Sequence, residues 1–415
     1  MPEVTISDLG GRGDGVAHTP AGPLYVAYAA PGDHLQVSEP SVHAGVRRAR
    51  IEEVLAAGPD RREPACGHFG ECGGCSVQHI ATARYQAWKR GLLLSALHRR
   101  GLGGVSVGEL SMSPPASRRR ARFAARRRRG AVSLGFNAAR SHRIVPLYGC
   151  PVLRPAVVAA LPALRALLAT LPWQSKTTDV QVTETEDGLD IWLTDVLAEE
   201  LQARTAIAAA ADAADWARVA AGAVADVVIT RRTPRLTFSG VAAVPPVGGF
   251  LQATREGEAT LVGEVLAAAA GVSRVADLFA GIGAFSFAVA QQAQVAAVDV
   301  DAAAVAALSA AANAARGLKR ITVERRDLQR RPLSAGELAG FDAVLFDPPR
   351  AGALAQATEI AGSGVPLVVA VSCNPATFAR DARVLVDAGY RLERVTPVDQ
   401  FLWTSHLELV AVFRR

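Results

Sequence analysis

Five cysteines stand in this 415-residue chain, and four of them group. Cys66-x5-Cys72-x2-Cys75 is a compact thiol loop with glycines at 67, 70, 73 and 74 that permit tight wrapping, and Cys150 supplies a distant fourth sulfur. Four thiolates suit either a tetrahedral zinc or a [4Fe–4S] cluster, and spacing alone does not separate the two. His68 and His79 lie close enough to be rival ligands but read as loop residues. Cys373 stands apart, at the end of the apolar run Pro366-Leu-Val-Val-Ala-Val-Ser-Cys-Asn-Pro375. A lone thiol at the tip of a buried strand, following a cofactor-binding pattern, reads as a nucleophile.

That pattern is Asp277-Leu-Phe279-Ala-Gly281-Ile-Gly283-Ala-Phe, at a strand-to-helix turn. Gly281 and Gly283 let the backbone close a tight turn and approach a ligand. A nicotinamide loop would carry a third glycine, but position 286 is serine. Asp299 ends the next strand, where a carboxylate accepts from ribose hydroxyls, and Asp347-Pro-Pro-Arg350 ends the fourth as a rigid acidic loop. The combination resembles the S-adenosylmethionine site of Rossmann-like methyltransferases.

The elements that must position these residues divide the chain into three expected units. Residues 1–55 hold short strands punctuated by Gly and Pro, which suggests a small β-barrel. The cluster Gly10-Gly-Arg-Gly-Asp-Gly15 within it reads as a turn. Residues 56–245 read as a central α+β domain: the cysteine loop, a helix over 82–100, basic strands, then strands within 178–192 and 224–231 separated by an alanine-rich helix over 198–223. From 246 to 415 the pattern becomes β-α alternation, predicting a doubly wound parallel sheet. Its five buried strands begin at Val275, Val295, Ile321, Phe341 and Pro366. The two final strands, from Tyr390 and from His406, are joined by too few residues for a helical crossover, so the last is expected to run antiparallel.

Half the residues are hydrophobic and a fifth are charged, as in a soluble globular protein. No apolar stretch reaches the roughly 18 residues that span a bilayer, and the N-terminus lacks a secretory pattern. A cytoplasmic monomer with no membrane association is expected. Net charge is +6, nearly all arginine on the basic side. Arg118-Arg-Arg-Ala-Arg-Phe-Ala-Ala-Arg-Arg-Arg-Arg129 concentrates guanidinium groups on what reads as a basic sheet, which fits phosphate contacts with a nucleic acid.

Together these motifs resemble the RNA 5-methyluridine methyltransferases, a family with an N-terminal TRAM barrel, a central domain and a C-terminal class I methyltransferase domain. The resemblance covers almost the whole chain: the cysteine quartet with Cys150-Pro-Val-Leu, Phe250-Leu-Gln252, the Asp277 loop, Asp347-Pro-Pro-Arg350, Ser372-Cys-Asn-Pro375 and His406-Leu-Glu408 fall in family order. It implies that Cys66, Cys72, Cys75 and Cys150 hold a [4Fe–4S] cluster, that Cys373 is the nucleophile and that Glu408 is the base. It also implies S-adenosylmethionine contacts at Gln252, Phe279, Ala284, Asp299, Asp327 and Asp347, and ribosomal or transfer RNA as substrate. Thr254 replaces an asparagine of the family's Phe-x-Gln-x-Asn, Ala284 a frequent asparagine, and Asp299 a frequent glutamate; at 284 only a backbone contact is expected.

The chemistry explains the residue types. Carbon 5 of uracil is a poor nucleophile until a thiolate adds to carbon 6, after which a base must strip the carbon 5 proton so that the thiol can leave. A free cysteine, with a pKa of about 8.5, is a few per cent thiolate at neutral pH. An antiparallel last strand beside the fifth would bring Glu408 to Cys373. Two alternatives stand beside this reading: cytosine carbon-5 methylation, which uses the same thiol addition, and a non-catalytic RNA-binding protein.

Overall fold

A computed structural model describes residues 1–415. In the C-terminal part, the apolar runs that start at Val275, Ala343 and Leu367 become central strands buried on both faces, as a parallel sheet covered by helices requires. In chain order the strands of this part are β1 (Arg274–Leu278), β2 (Gln294–Asp299), β3 (Ile321–Arg325), β4 (Ala343–Phe346), β5 (Leu367–Ser372), β6 (Arg391–Asp399) and β7 (Glu408–Arg414). Their spatial order is β3-β2-β1-β4-β5-β7-β6. Alternate residues feed two separate cores: Ala276, Leu278, Val344, Phe346, Val368 and Ala370 point to one, Val275, Leu345, Val369 and Val371 to the other. The five expected strands are present, and β1 to β5 are mutually parallel.

The last strand is antiparallel and inserted between β5 and β6. Its register sets Ser372 opposite Leu409 and Val371 opposite Val410, with Val398 of β6 opposite Glu408. The start of β7 therefore meets the end of β5 at the edge where β1, β2 and β4 also end. Ligands of open α/β sheets bind at that edge, where the strand order reverses.

The helix Thr82–His98 and the short strands Ser106–Val107 and Ser111–Met112 fall within the 56–245 span, yet the two strands pair with β6. The helix buries Leu93 and Leu97 in the same core as Phe378 and Leu385. The central seven-stranded sheet is instead built from residues 120–230, from Arg120–Arg128 through Asp226–Thr230. The alanine-rich stretch expected to be one helix over 198–223 is a shorter helix, Leu201–Ala213, followed by a strand, Arg218–Ala221, parallel to Gly188–Leu193. Asp215, with a φ of 54°, breaks the helix, and alanine's small side chain conceals the strand because it suits either buried environment.

The N-terminal residues form two small sheets, of three and five strands, around a shared core that includes Ile6, Leu24, Val26, Leu35 and Val37. The glycine cluster is a turn, as expected: Gly13, at φ 86°, lies so close to the cysteine loop that a Cβ would stand 2.5 Å from Val77. No helix is long and apolar enough to cross a membrane.

Candidate active site

At the end of β5, Cys373 is half-buried and followed by Asn374, whose side chain caps the helix Pro375–Asp387. Asn374 Nδ2 also donates to the Arg350 carbonyl at 3.0 Å, which ties the Cys373 loop to the Asp-Pro-Pro-Arg loop after β4. Burial pushes the Cys373 thiol up to about 11, and the Glu408 and Asp347 carboxylates add to the rise against the opposing pull of Arg350. Burial therefore favours the protonated thiol over the few per cent thiolate expected of a free cysteine.

Glu408 is 3% exposed. Burial raises its carboxyl to about 7, against one favourable hydrogen bond from Gln400 Nε2 at 3.3 Å. Gln400 Nε2 also donates to Gln252 Oε1 at 2.6 Å, and Gln252 Nε2 donates to Asp347 Oδ2 at 3.2 Å. A buried chain of two amides thus links the carboxylates of Asp347 and Glu408. Asp347 is itself raised, by desolvation first and by Glu408 second.

The turn after β1 is held from beneath. Asp277 is buried and accepts the Ser286 hydroxyl at 2.5 Å; burial raises it to about 7. Serine at 286, where a third glycine would complete the nicotinamide pattern, is thus a strut for the loop. Phe279, Gly281 and Gly283 all adopt positive φ, 62°, 56° and 95°. A Cβ on Gly283 would stand 2.8 Å from the Phe287 ring and 3.0 Å from Leu308. Asp299 at the tip of β2 holds the loop with Oδ2, accepting from Gly281 N at 2.8 Å, and Asp301 N with Oδ1. Asp327 follows β3 and accepts Gln329 N at 3.0 Å. Ala284 opens the short helix Ala284–Val289 and lines a separate cavity of about 460 Å³ with Arg119, Phe238 and Glu258. Thr254 caps the helix Arg255–Ala268 through its hydroxyl, which accepts Gly257 N at 3.0 Å, so the residue that replaces the expected asparagine has a structural use.

The four remaining cysteines line one cavity of about 1020 Å³, which Arg118, Arg350 and His406 also reach. No three His, Cys, Asp or Glu side chains close into a group that could hold a single metal ion. The donor set nonetheless suits a thiolate-bound group: Cys72 Sγ accepts Gly74 N at 3.4 Å, and Cys150 is approached by the N–H groups of Val152 and Leu153. Burial holds the Cys75 thiol up to about 12, so a metal must displace its proton.

The arginine run is only partly a phosphate face. Along Arg120–Arg128, Ala121, Phe123 and Ala125 point into the core while Arg122, Arg126 and Arg128 face solvent. Arg119 is buried against Glu258 at 2.6 Å and donates to the Gln252 carbonyl at 3.1 Å, which anchors the segment carrying Gln252. Arg127 donates to the Leu171 carbonyl at 2.6 Å and stacks on Trp173.

Some functional neighbours carried no sequence signal. Gln400 lies in Asp399-Gln-Phe, outside every recognised motif. Lys89, fully buried on the helix Thr82–His98, donates to Asp399 Oδ1 at 2.8 Å and to the His406 carbonyl. Tyr85 donates to the other Asp399 oxygen and accepts Trp403 N at 2.9 Å. This network braces the β6–β7 connection that delivers Glu408.

Comparison with known proteins shows the family. The profile of the tRNA (Uracil-5-)-methyltransferase family matches residues 262–415. An RNA methyltransferase of Rhizobium meliloti (strain 1021) is 43% identical, over 99% of both chains. The 23S rRNA (uracil(1939)-C(5))-methyltransferase RlmD of Alkalilimnicola ehrlichii is 33% identical over 100% of this chain and 96% of its own. Among solved structures, the Pyrococcus abyssi tRNA (uracil-54, C5)-methyltransferase in complex with S-adenosyl-L-homocysteine superposes over 99% of this chain and 100% of its own with a TM-score of 0.78 at 21% identity, a likeness of fold. The fold and the site define an S-adenosylmethionine-dependent RNA methyltransferase. The chain belongs to the RNA uracil-C5 methyltransferase family, which does not favour the cytosine or the non-catalytic reading.

Proposed function

We propose that this enzyme methylates carbon 5 of one uridine in RNA through a covalent adduct, with Cys373 as nucleophile and Glu408 as base. The observation that carries the reading is the antiparallel insertion of β7, which sets the start of Glu408–Arg414 against the end of Leu367–Ser372. Cys373 gives up its thiol proton to solvent and, as the thiolate, adds its sulfur to carbon 6, while the electron pair of the 5,6 double bond moves toward the carbonyl at carbon 4. S-adenosylmethionine supplies the methyl group for carbon 5 and, on its sulfonium, a charge opposite in sign to the Asp347 and Glu408 carboxylates. Glu408, held near pH 7, then takes the carbon 5 proton; the pair left behind re-forms the double bond as the carbon–sulfur bond breaks. Gln252, Asp299, Asp327, Asp347, the positive-φ turn at Phe279, Gly281 and Gly283, and the backbone of Ala284 would hold the donor.

Cys66, Cys72, Cys75 and Cys150 would hold a [4Fe–4S] cluster. The four thiols line one cavity, and four cysteine thiolates are a donor set that such a cluster would take. The cluster and the two N-terminal sheets, read as a TRAM-like module, serve to position RNA. The substrate is taken to be large-subunit ribosomal RNA, supported by the full-length likeness to RlmD. Labelled methyl transfer followed by nucleoside analysis tests the reading: 5-methyluridine is expected, and Cys373→Ala should bind RNA while losing both methyl transfer and the covalent adduct with 5-fluorouridine RNA. Undiminished turnover of that variant would overturn it.

A further inference from the structure

The amide of Gln400 is buried where nothing in the expected chemistry calls for one. Its orientation is set by the backbone. Thr254 N–H can only donate, and it points at Gln400 Oε1 at 3.4 Å. The amino group must therefore face the other way, toward Gln252 Oε1 and Glu408 Oε2. Thr254 is itself fixed: its hydroxyl caps the helix Arg255–Ala268 and meets the Ser113 hydroxyl at 2.6 Å. Gly257 leaves the room, since a Cβ there would stand 2.9 Å from the Gln400 Cβ. A helix cap thus dictates which end of a side-chain amide meets the carboxylate of the base.

The geometry points to Gln400 as a positioning residue for the methyltransferase reaction, one that holds the Glu408 carboxylate in place and ties it through Gln252 to Asp347 on the donor side. This rests on the assignment of Glu408 as base. Gln400 Nε2 is the only hydrogen-bond donor the Glu408 carboxylate has. The other ionisable groups around it are Asp347 after β4 and Cys373 after β5. Lys89 and Asp399, on the helix Thr82–His98 and at the end of β6, are paired with each other. His406 is exposed. Arg350, on the loop after β4, acts on Cys373 and makes no hydrogen bond to Glu408, so among the protein's own side chains the amide of Gln400 alone donates to that carboxylate. A donor to a charged acceptor is worth about 1.5–3 kcal/mol, so its loss should move the proton affinity of Glu408 by about one to two pH units.

The experiment uses the full-length enzyme with an RNA substrate and follows two steps in single turnover: formation of the RNA adduct, and its resolution to methylated product, across pH 6 to 9. Wild type should resolve the adduct with a midpoint near pH 7. Gln400→Leu should form it at a near-normal rate but resolve it with a midpoint about one to two pH units higher, so that the defect shrinks as pH rises. Gln400→His, which keeps a ring N–H donor, should recover part of the shift. Equal slowing of both steps at every pH in Gln400→Leu, or an unmoved midpoint, overturns the proposal. If Gln400→Leu fails to fold, Gln400→His alone decides: its midpoint must lie above that of wild type. Glu408→Gln separates the two ideas. If it stalls as an adduct while Gln400→Leu keeps the wild-type midpoint, only the role of Gln400 falls; if it releases product normally, the base assignment itself falls.

Discussion

Replacing Glu408 with glutamine removes a charge from a place that penalises it, and the consequence for stability is opposite to that for activity. Glu408 is nearly inaccessible, and burial carries its carboxyl from the usual 4.5 to about 7. That displacement corresponds to about 3 kcal/mol. The folded protein therefore binds a proton more tightly here than the unfolded chain does, so this group's contribution is most favourable below pH 4.5 and declines as pH rises to about 7, above which it is constant. Glutamine has nearly the same shape and does not titrate. Glu408→Gln should match wild type near pH 4.5 and exceed it at pH 8 by up to about 3 kcal/mol, an upper bound because the new amide must still satisfy Gln400. Urea unfolding midpoints at pH 4.5, 6 and 8, read on the transition of the C-terminal sheet, measure the gap. Methyl transfer with release should fall by about 10²–10⁴, the ordinary worth of a positioned base, with the RNA adduct accumulating. A stability gap that does not widen with pH would refute the account of Glu408 as a carboxylate strained by burial, whatever the activity shows.

Other substitutions test the scaffold. Lys89→Met strands Asp399 among buried groups and should cost about 3–5 kcal/mol, with Asp399→Asn in the same chain recovering much of the loss; additive losses in denaturant melts would argue against a coupled pair. Gly283→Ala forces a Cβ to within 2.8 Å of Phe287 at a φ of 95°. It should weaken S-adenosylmethionine binding in calorimetry and lower stability by about 1–3 kcal/mol, and unchanged affinity would contradict the proposed donor loop. Anaerobically purified protein should be brown with about four irons per chain, and Cys75→Ser should lose the colour; zinc in place of iron would reject the cluster.

Much of the catalytic layout was legible in the chain because strand topology converts sequence order into place. β-α alternation puts every strand's carboxyl end on one edge, so residues ending Asp277-Leu-Phe, Val298-Asp299, Asp347-Pro-Pro and Ser372-Cys373 were bound to meet once those strands were recognised. The short link before the final strand likewise dictated its antiparallel direction, and with it the placement of Glu408. What escaped the sequence were features without periodicity. A strand of alanine and valine hid behind an alanine helix, because those side chains suit either buried setting. Several guanidinium groups of the basic run turned inward to bind Glu258 and backbone carbonyls, since only packing decides which face of a strand meets solvent. The protonation of Cys373 and Glu408, and the amide chain through Gln252 and Gln400, depend on how much water the assembled domains exclude and which side chains converge there. Desolvation and convergence belong to the whole three-dimensional packing, not to any local stretch, so only the tertiary structure could decide them.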